Sequence, residues 1–290
     1  MNYLSLKATG SGAALVLGLG TLALACTPLD DPADVYDGES ETAEIGQELP
    51  DRSEEPLDES RPTEGDPWGC VQGNRPSTPP PEERPESVTY TVSIVDWVTN
   101  EAPPGLVVKV CNRIDALCAE PLSTVMPPPE REISFELPAR LEVYLTLEAT
   151  GTVPATFYFD GPVVEDRLGG LIQLLRFTTV AGLAQTFLGT QLDPTMGVMS
   201  LRSHDCNGAI AEGAVFELEP NSGVPFTLIN GAPTRAIVPT DASGLAGFVN
   251  VPEGGFLARG FVAAENREFG LANFNVKPGW FSLVEVRSTN

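Results

Sequence analysis

Residues 240–254 have the sequence TDASGLAGFVNVPEG, in which a polar turn precedes an apolar segment that ends in proline and glycine. Asp241 is suited to accept backbone N–H hydrogen bonds in a turn, and Gly244 has the conformational freedom that turns require. Pro252 cannot donate a hydrogen bond to a β-ladder, so it marks the end of a strand just before Gly254. The stretch therefore predicts a turn, a strand and a second turn.

Short candidate strands lie on both sides of this stretch, at regular spacing and with turn signals between them. Their β-branched and aromatic residues partly alternate with polar ones, which is typical of a β-sandwich. The strands predicted in a first β-unit are Thr89–Val95, Leu106–Val110, Ile133–Leu137, Leu141–Leu147 and Val153–Phe159. Those predicted in a second β-unit are Gly197–Leu201, Gly213–Leu218, Pro225–Ile229, Ala236–Val238, Ala246–Val251, Phe256–Ala264, Phe269–Val276 and Trp280–Val286.

The segment between the two units has apolar residues at helical spacing. They are Val164, Leu168, Leu171, Leu175, Val180, Leu183 and Phe187. Gly169 and Gly170 each cost about 1 kcal/mol inside a helix, so we expect one or two short helices over Val164–Leu188. Such a stripe is usually core-facing, and a groove for a ligand or partner is the alternative.

The predicted fold is mainly β, with two tandem prealbumin- or immunoglobulin-like sandwiches joined by a short helical segment. A signal peptide and a disordered acidic linker precede them. The expected boundaries are 1–25 for the signal peptide, 26–87 for the lipidated cysteine and tether, 88–162 for the first sandwich, 163–194 for the helical connector and 195–290 for the second sandwich.

The amino-terminal segment is predicted to be an export signal. Lys7 precedes an apolar run that is shorter than the roughly 20 residues needed to cross a bilayer. The run ends in LALAC (residues 22–26), which resembles the lipobox of bacterial lipoproteins. That resemblance implies cleavage before Cys26, acylation of this cysteine and attachment to a membrane, and Thr27 implies the outer membrane or cell surface of a Gram-negative envelope. The alternative is an ordinary signal peptide with Cys26 as an incidental thiol.

The tether that follows is rich in Asp, Glu, Pro, Ser and Gly and has no apolar period, so it is expected to remain a solvated spacer. A calcium-binding role is disfavoured because the tether lacks the regular alternation of oxygen ligands and the turn glycine of a calcium loop. Trp68 beside Cys70 is an exception within this segment, and we expect this short patch to dock on the folded part.

The second β-unit resembles the carboxypeptidase regulatory-like domain, a prealbumin-type sandwich. The resemblance rests on GAV (residues 213–215) together with residues 240–254, and it extends over Val198–Val286. In that family threonine, aspartate and glycine form the turn between two strands, which here implies Thr240, Asp241 and Gly244. The first β-unit lacks this turn and is interpreted as a diverged copy.

Four cysteines remain besides Cys26, and in an exported chain they indicate two disulfides with three alternative connectivities. Cys111 and Cys118 enclose a short loop and form the preferred pair, which leaves Cys70 to pair with Cys206. The wide separations disfavour a metal site, and no metal or cofactor is predicted.

Charge and histidine content restrict the function. The net charge of −23 disfavours nucleic acid and a basic membrane contact. A single histidine, His204, cannot supply the ligands of zinc carboxypeptidases or intradiol dioxygenases. We expect His204 at the surface end of a strand, with its neighbour Asp205 pointing to the opposite face. We therefore expect a non-catalytic envelope module that binds a glycan or a protein. The alternatives are an accessory subunit docking through a sheet edge or the helical region, and a hydrolase with two carboxylates in a cleft.

Overall fold

The computed structural model describes residues 67–72, 80–127 and 132–288, all within one compact unit that spans 58–290. These residues are mainly β with one α-helix, as predicted. The signal peptide, Cys26 and most of the tether lie outside the described residues. The strands before the helix are β1 (Ser87–Asp96), β2 (Val107–Asn112), β3 (Ser123–Val125), β4 (Glu132–Pro138), β5 (Val143–Glu148), β6 (Ala155–Tyr158) and β7 (Arg167–Leu174).

The helix α1 spans Phe177–Leu188 and ends at Gly189, which adopts the left-handed conformation with φ 60°. Residues Gly69–Gln72 and Pro81–Glu83 form short 3-10 turns within the expected tether range. The strands after the helix are β8 (Gly197–His204), β9 (Ala214–Glu219), β10 (Val224–Ile229), β11 (Ala232–Thr234), β12 (Leu245–Val251), β13 (Gly254–Val262), β14 (Arg267–Val276) and β15 (Phe281–Arg287).

The strands form three sheets. A first outer sheet has the order β4-β1-β7, and a second outer sheet has the order β14-β13-β9. A nine-stranded central sheet has the order β11-β10-β12-β8-β15-β6-β5-β2-β3. Within it β15 pairs in parallel with both β6 and β8. The two sandwiches therefore share one sheet, because a strand of the second β-unit pairs with a strand of the first.

The outer sheets lie on opposite faces of the central sheet. Successive residues of a strand point to opposite faces, and neighbouring residues of the central strands belong to two different apolar clusters. Phe157 and Val198 lie in a cluster with Tyr90 of the first outer sheet. Tyr158 and Met199 lie in a cluster with residues of the second outer sheet. The second outer sheet packs on both halves of the central sheet, since Tyr144 of β5 and Tyr158 of β6 lie in its cluster together with Met199 of β8.

Burial patterns follow this arrangement. In β4, with the sequence EISFELP, the apolar residues at alternate positions are buried. The polar residues between them face solvent and are exposed. The central strands β5 and β8 are buried at almost every position, because both faces of the sheet are covered. The near-continuous apolar runs of the sequence therefore belong to the central sheet.

The helical prediction for the connector was correct only in its second half. Residues Arg167–Leu174 form β7, which pairs in parallel with β1. Leu168, expected on the core-facing stripe, is 84% exposed, while Ile172 and Leu174 are buried with the strand period of two. Backbone pairing with β1 thus outweighs the helical spacing of the apolar residues. The glycines of β7 also disfavour a helix in this segment.

One further strand prediction was wrong, and one short strand was missed. Ala236–Val238 is not a strand, and the edge strand β11 lies just before it. Asn230 and Gly231, with φ of 52° and 79°, form a two-residue turn that returns β11 onto β10. The short edge strand β3 was not predicted at all.

Both disulfides have the preferred connectivity, with Cα–Cα distances of 5.3 Å for Cys111–Cys118 and 5.6 Å for Cys70–Cys206. Docking of the tryptophan patch is also confirmed. Trp68 is buried, and its ring centroid lies 4.5 Å from that of Phe269 in the second outer sheet. The 3-10 turn Gly69–Gln72 is thus fixed to the second sandwich by a disulfide and an aromatic contact.

Candidate functional site

A cavity of about 310 Å³ lies between the central sheet and α1, and we call it the α1 pocket. Its floor is the face of β8, β12 and β15 opposite the second outer sheet, and β7 and α1 border it above. The helix turns Val180, Leu183, Ala184, Phe187 and Leu188 toward it. The pocket therefore occupies the place where the second sandwich lacks a second covering sheet.

The register of the strands orders the floor into three rows across β15, β8 and β12. The first row is Phe281, Val198 and Val249, the second is Leu283, Ser200 and Gly247, and the third is Glu285, Arg202 and Leu245. Successive rows are two residues apart, or about 6.6 Å along the strands. The floor thus changes from apolar to charged over about 13 Å.

Gly247 creates part of the space in the second row. A Cβ at this position would lie 2.1 Å from the carbonyl oxygen of Met199 and 2.7 Å from the ring of Phe226. No larger residue fits there, so the ring of Phe226 can lie directly over the backbone and line the pocket.

The rim of the pocket carries large apolar side chains that are partly open to solvent. Trp97 is 44% exposed, Leu171 is 40% exposed and Phe187 is 46% exposed. Asp96 anchors this rim, since its carboxylate accepts hydrogen bonds from the backbone N–H groups of Val98 at 2.8 Å and Thr99 at 3.1 Å. It also pairs with Arg176, the residue that precedes α1, at 2.9 Å.

A charged cluster lies at the polar end of the floor. The carboxylate of Glu285, only 7% exposed, lies 3.1 Å from Arg167 Nη2 and 3.5 Å from His204 Nε2. Burial raises the pKa of Glu285, but the His204 hydrogen bond and the Arg167 charge outweigh it and hold this pKa below its usual value. Asp160 pairs with Arg167 at 3.5 Å and with Arg287 at 2.6 Å.

Arg202 is the member of this cluster without a carboxylate of its own. Its half-buried side chain lines the pocket, and its buried Nε has no hydrogen-bond partner among the described residues. Burial lowers the pKa of the guanidinium, and attraction to Glu285 offsets this only in part. Within the described part of the chain the cluster contains three arginines and two carboxylates, so one positive charge is left over beside an apolar cavity.

The turn residues implied by the family resemblance lie outside the lining of this pocket and support the edge of the sheet. Thr240 is buried, and its Oγ1 accepts a hydrogen bond from the backbone N–H of Ala214 at 3.1 Å. The Asp241 carboxylate accepts hydrogen bonds from the Ser243 hydroxyl at 2.6 Å and the Asn230 N–H at 2.6 Å, and these bonds lower its pKa. These residues fix the connection from β11 to β12.

The glycines and the proline of this motif have backbone roles. Gly244 has φ 63°, and a Cβ there would lie 2.8 Å from Ser203 Oγ. Pro252 directly follows the last residue of β12, and Gly254, with φ 144°, begins β13. The sequence stretch therefore forms the predicted turn, strand and second turn.

His204 differs from expectation. It was expected at the surface end of a strand, but it is 5% exposed because β15 lies beside it in the central sheet. Its Nδ1 lies 3.0 Å from the Gly208 carbonyl oxygen, and the Asp205 carboxylate instead accepts backbone hydrogen bonds from Asn207 and Ala209 at 2.8 Å. His204 and Asp205 thus have separate partners, and Asp205 lies just beyond the end of β8 rather than within a strand.

Three observations bear on other site types. Among the described residues, no group of three or more His, Cys, Asp or Glu side chains could hold a metal ion. No helix in the same part of the chain is long and apolar enough to cross a membrane. The α1 pocket has one carboxylate in its lining, Glu285, whereas a two-carboxylate hydrolase needs a pair.

From the sequence, the α1 half of this pocket was only the alternative interpretation of the apolar stripe, and the charged end was missed. The apolar stripe of the helix was interpreted as core-facing, with a groove as the alternative, and Val180 is indeed buried while Phe187 lies on the rim. Arg167, Arg202 and Glu285 were not singled out. They are far apart in the sequence, and no local signal brings them together.

No family model matches the sequence, and no curated protein matches it. Among solved structures, the TIE protein of Bacillus anthracis is 13% identical with a TM-score of 0.24, and the match covers 70% of this chain and 34% of that one. The minor pilin GBS52 of Streptococcus agalactiae is 10% identical with a TM-score of 0.23, covering 70% and 97%. The shaft pilin SpaA of Lactobacillus rhamnosus GG is 8% identical with a TM-score of 0.21, covering 71% and 98%. The chain spans about a third of the TIE protein.

Proposed function

We propose that the chain is a non-catalytic lipoprotein of the bacterial envelope that binds an apolar ligand in the α1 pocket. The observation that carries this proposal is a preformed cavity with an apolar floor, an exposed apolar rim and a few convergent polar groups. Binding pockets for small molecules combine the same features, and a volume of about 310 Å³ lies at the lower end of their range.

The lining favours an apolar ligand over the glycan considered from the sequence. The lining is mostly aliphatic and aromatic. Its polar side chains with hydrogen-bonding or charged groups are Gln173, Ser200, Arg202 and Glu285. A glycan bound there would leave many hydroxyl groups without partners, at a cost of about 1–3 kcal/mol for each. An apolar chain binds favourably in the same space because its apolar surface is removed from water.

The pairing of His204 with Glu285 supports a non-catalytic role. The chain has one histidine, and this residue is held inside the charged cluster by the Gly208 carbonyl and the Glu285 carboxylate. His204 also does not line the α1 pocket, so it is not placed to activate a nucleophile there.

The pocket can be tested with N-phenyl-1-naphthylamine, an uncharged probe that fluoresces in apolar surroundings. We expect a saturable increase in fluorescence with one site per chain. Phe187→Asp should weaken binding about tenfold or more, because it places a carboxylate on the apolar rim. Leu168→Asp is the matched control, since Leu168 is exposed but does not line the pocket. Equal effects of the two substitutions, or no saturable signal, would disprove the proposed site.

The lipid anchor is a separate part of the proposal. Acylation of Cys26 would hold the chain at the outer membrane or cell surface, and the following tether would separate the sandwiches from the lipid. In a Gram-negative host, an alkyne analogue of palmitate should label the chain, and Cys26→Ser should abolish the label and the membrane fractionation. Label retained on Cys26→Ser would exclude this anchor.

An accessory-subunit role is the second candidate, and the exposed rim favours it. Trp97, Leu171 and Phe187 would present an apolar surface to a partner protein at the helical region. Stoichiometric co-purification of one envelope protein that is lost in Phe187→Asp, without saturable probe binding, would favour this role over ligand binding.

A further inference from the structure

We infer that the α1 pocket takes a single-chain amphipath with an anionic head, a medium-length fatty acid, with its carboxylate at Arg202 and its tail over Phe281, Val198 and Val249. This inference rests on the proposed function, since it names the ligand of the same pocket. It is carried by the order of the floor rows and by the unpartnered guanidinium at one end.

The charge of the cluster favours an anion. Glu285 lines the same end of the pocket, but Arg167 and His204 already pair with it. Asp160 is likewise paired with Arg167 and Arg287. Arg202 forms no ion pair in the described part of the chain, and a buried donor without a partner is costly. A ligand carboxylate would supply the missing acceptor, and a cationic head would leave Arg202 unpaired.

The opposite end of the floor favours an acyl tail. Its first row is wholly apolar, and Leu283 and the ring of Phe226 continue this apolar surface toward the charged row. A peptide lying along the same path would bury amide groups that the lining cannot pair, whereas a hydrocarbon chain has none. Each methylene removed from water adds about 0.8 kcal/mol to binding. The length of about 13 Å between the first and third rows suits a tail of medium length.

The test uses residues 27–290, which include the whole compact unit from residue 58 onward and omit the predicted signal peptide and Cys26. Calorimetric titrations with dodecanoate, dodecanol and dodecyltrimethylammonium, each below its aggregation threshold, compare three heads on one tail. Dodecanoate should bind about 10- to 100-fold more tightly than dodecanol, as expected for a charge-assisted hydrogen bond. The cationic amphipath should bind most weakly.

Substitution at Arg202 isolates the head contact. Arg202→Gln should weaken dodecanoate binding to the level of dodecanol and leave dodecanol binding unchanged. Arg202→Lys should restore part of the preference, because it keeps the charge. Arg259→Gln is the matched control, since Arg259 pairs with Glu268 on the second outer sheet, away from the pocket. Unchanged dodecanol binding also shows that each variant is folded.

Three results would overturn the inference. Equal affinity of the wild-type chain for dodecanoate and dodecanol, or equal losses in Arg202→Gln and Arg259→Gln, would exclude an anionic head. Tighter binding of an apolar peptide with a free terminal carboxylate would exclude the acyl chain. In each case, saturable probe binding that is removed by Phe187→Asp would leave the proposed apolar site intact. If neither saturable probe binding nor a preference for dodecanoate is observed, both the apolar site and the fatty-acid ligand are refuted.

Discussion

The two faces of β8, β12 and β15 are covered in different ways. On one face the second outer sheet lies against them, with Phe216, Phe256 and Phe269 buried in the cluster between the sheets. On the opposite face a twelve-residue helix and the edge of β7 leave the α1 pocket open. The first face fills its space with side chains, and the second leaves space for a ligand. We call them the sandwich face and the helix face.

This difference separates stability from binding. A sheet on a sheet interdigitates side chains over its whole area, whereas one helix covers only part of a twisted sheet. Substitutions on the sandwich face should therefore change the free energy of unfolding with little effect on probe affinity. Substitutions on the helix face should change probe affinity with little effect on the free energy of unfolding.

The largest expected effect is loss of the Cys70–Cys206 disulfide, which pins Trp68 onto the sandwich face. Its sequence separation of 136 residues predicts a loss of about 5 kcal/mol in the free energy of unfolding for Cys70→Ala/Cys206→Ala, from the entropy of the unfolded chain. The separation of 7 residues in Cys111–Cys118 predicts about 2.5 kcal/mol for the matched double variant. Urea unfolding measures both, and a larger loss for the short loop would contradict the prediction.

Smaller effects are expected from truncating one apolar side chain on each face. Phe269→Ala should lower the free energy of unfolding by about 3–5 kcal/mol, because Phe269 is 1% exposed and contacts Trp68 and Phe216. Leu183→Ala should cost about 1 kcal/mol, because its side chain already borders an open cavity. Probe affinity should fall only for Leu183→Ala. Similar unfolding losses at the two positions would remove the distinction between the faces.

The smallest effect concerns pH at the helix face. Burial raises the pKa of Asp96, but hydrogen bonds from Thr99 and Val98 and the Arg176 pair outweigh it, so this pKa lies below 3.8. A carboxylate with a depressed folded pKa contributes stability that is complete above its unfolded value and lost as pH falls through the folded one. Asp96→Asn should lower the Tm at pH 7, and the difference from wild type should shrink below about pH 4. A difference of the same size at pH 3 would contradict this.

Most strands could be predicted because their signals are local. Alternation identified β4, and turn residues bounded β12. The strand β7 was missed because its leucines have helical spacing, and only pairing with β1 decides its conformation. Local pattern and long-range pairing conflict in this segment, and the long-range pairing determines the structure.

The candidate site was harder to predict for the same reason. The third floor row joins Arg202, Glu285 and Leu245, which are brought together only by the parallel pairing of β15 with β8 and the antiparallel pairing of β12 with β8. Parallel neighbours leave no hairpin signal in the sequence, because their connection is long. His204 was expected at the surface for the same reason, since β15 is the strand that buries it.

The position of β15 has a consequence for the order of events in assembly. It is the last strand in the described part of the chain, yet it lies between β6 and β8 in the middle of the widest sheet. Until β15 has been synthesised and inserted, β6 and β8 each have an unpaired edge that other chains can join. Pairings so distant in sequence are also slow to form. A chain that is synthesised from its amino terminus therefore keeps these two edges unpaired until β15 has emerged.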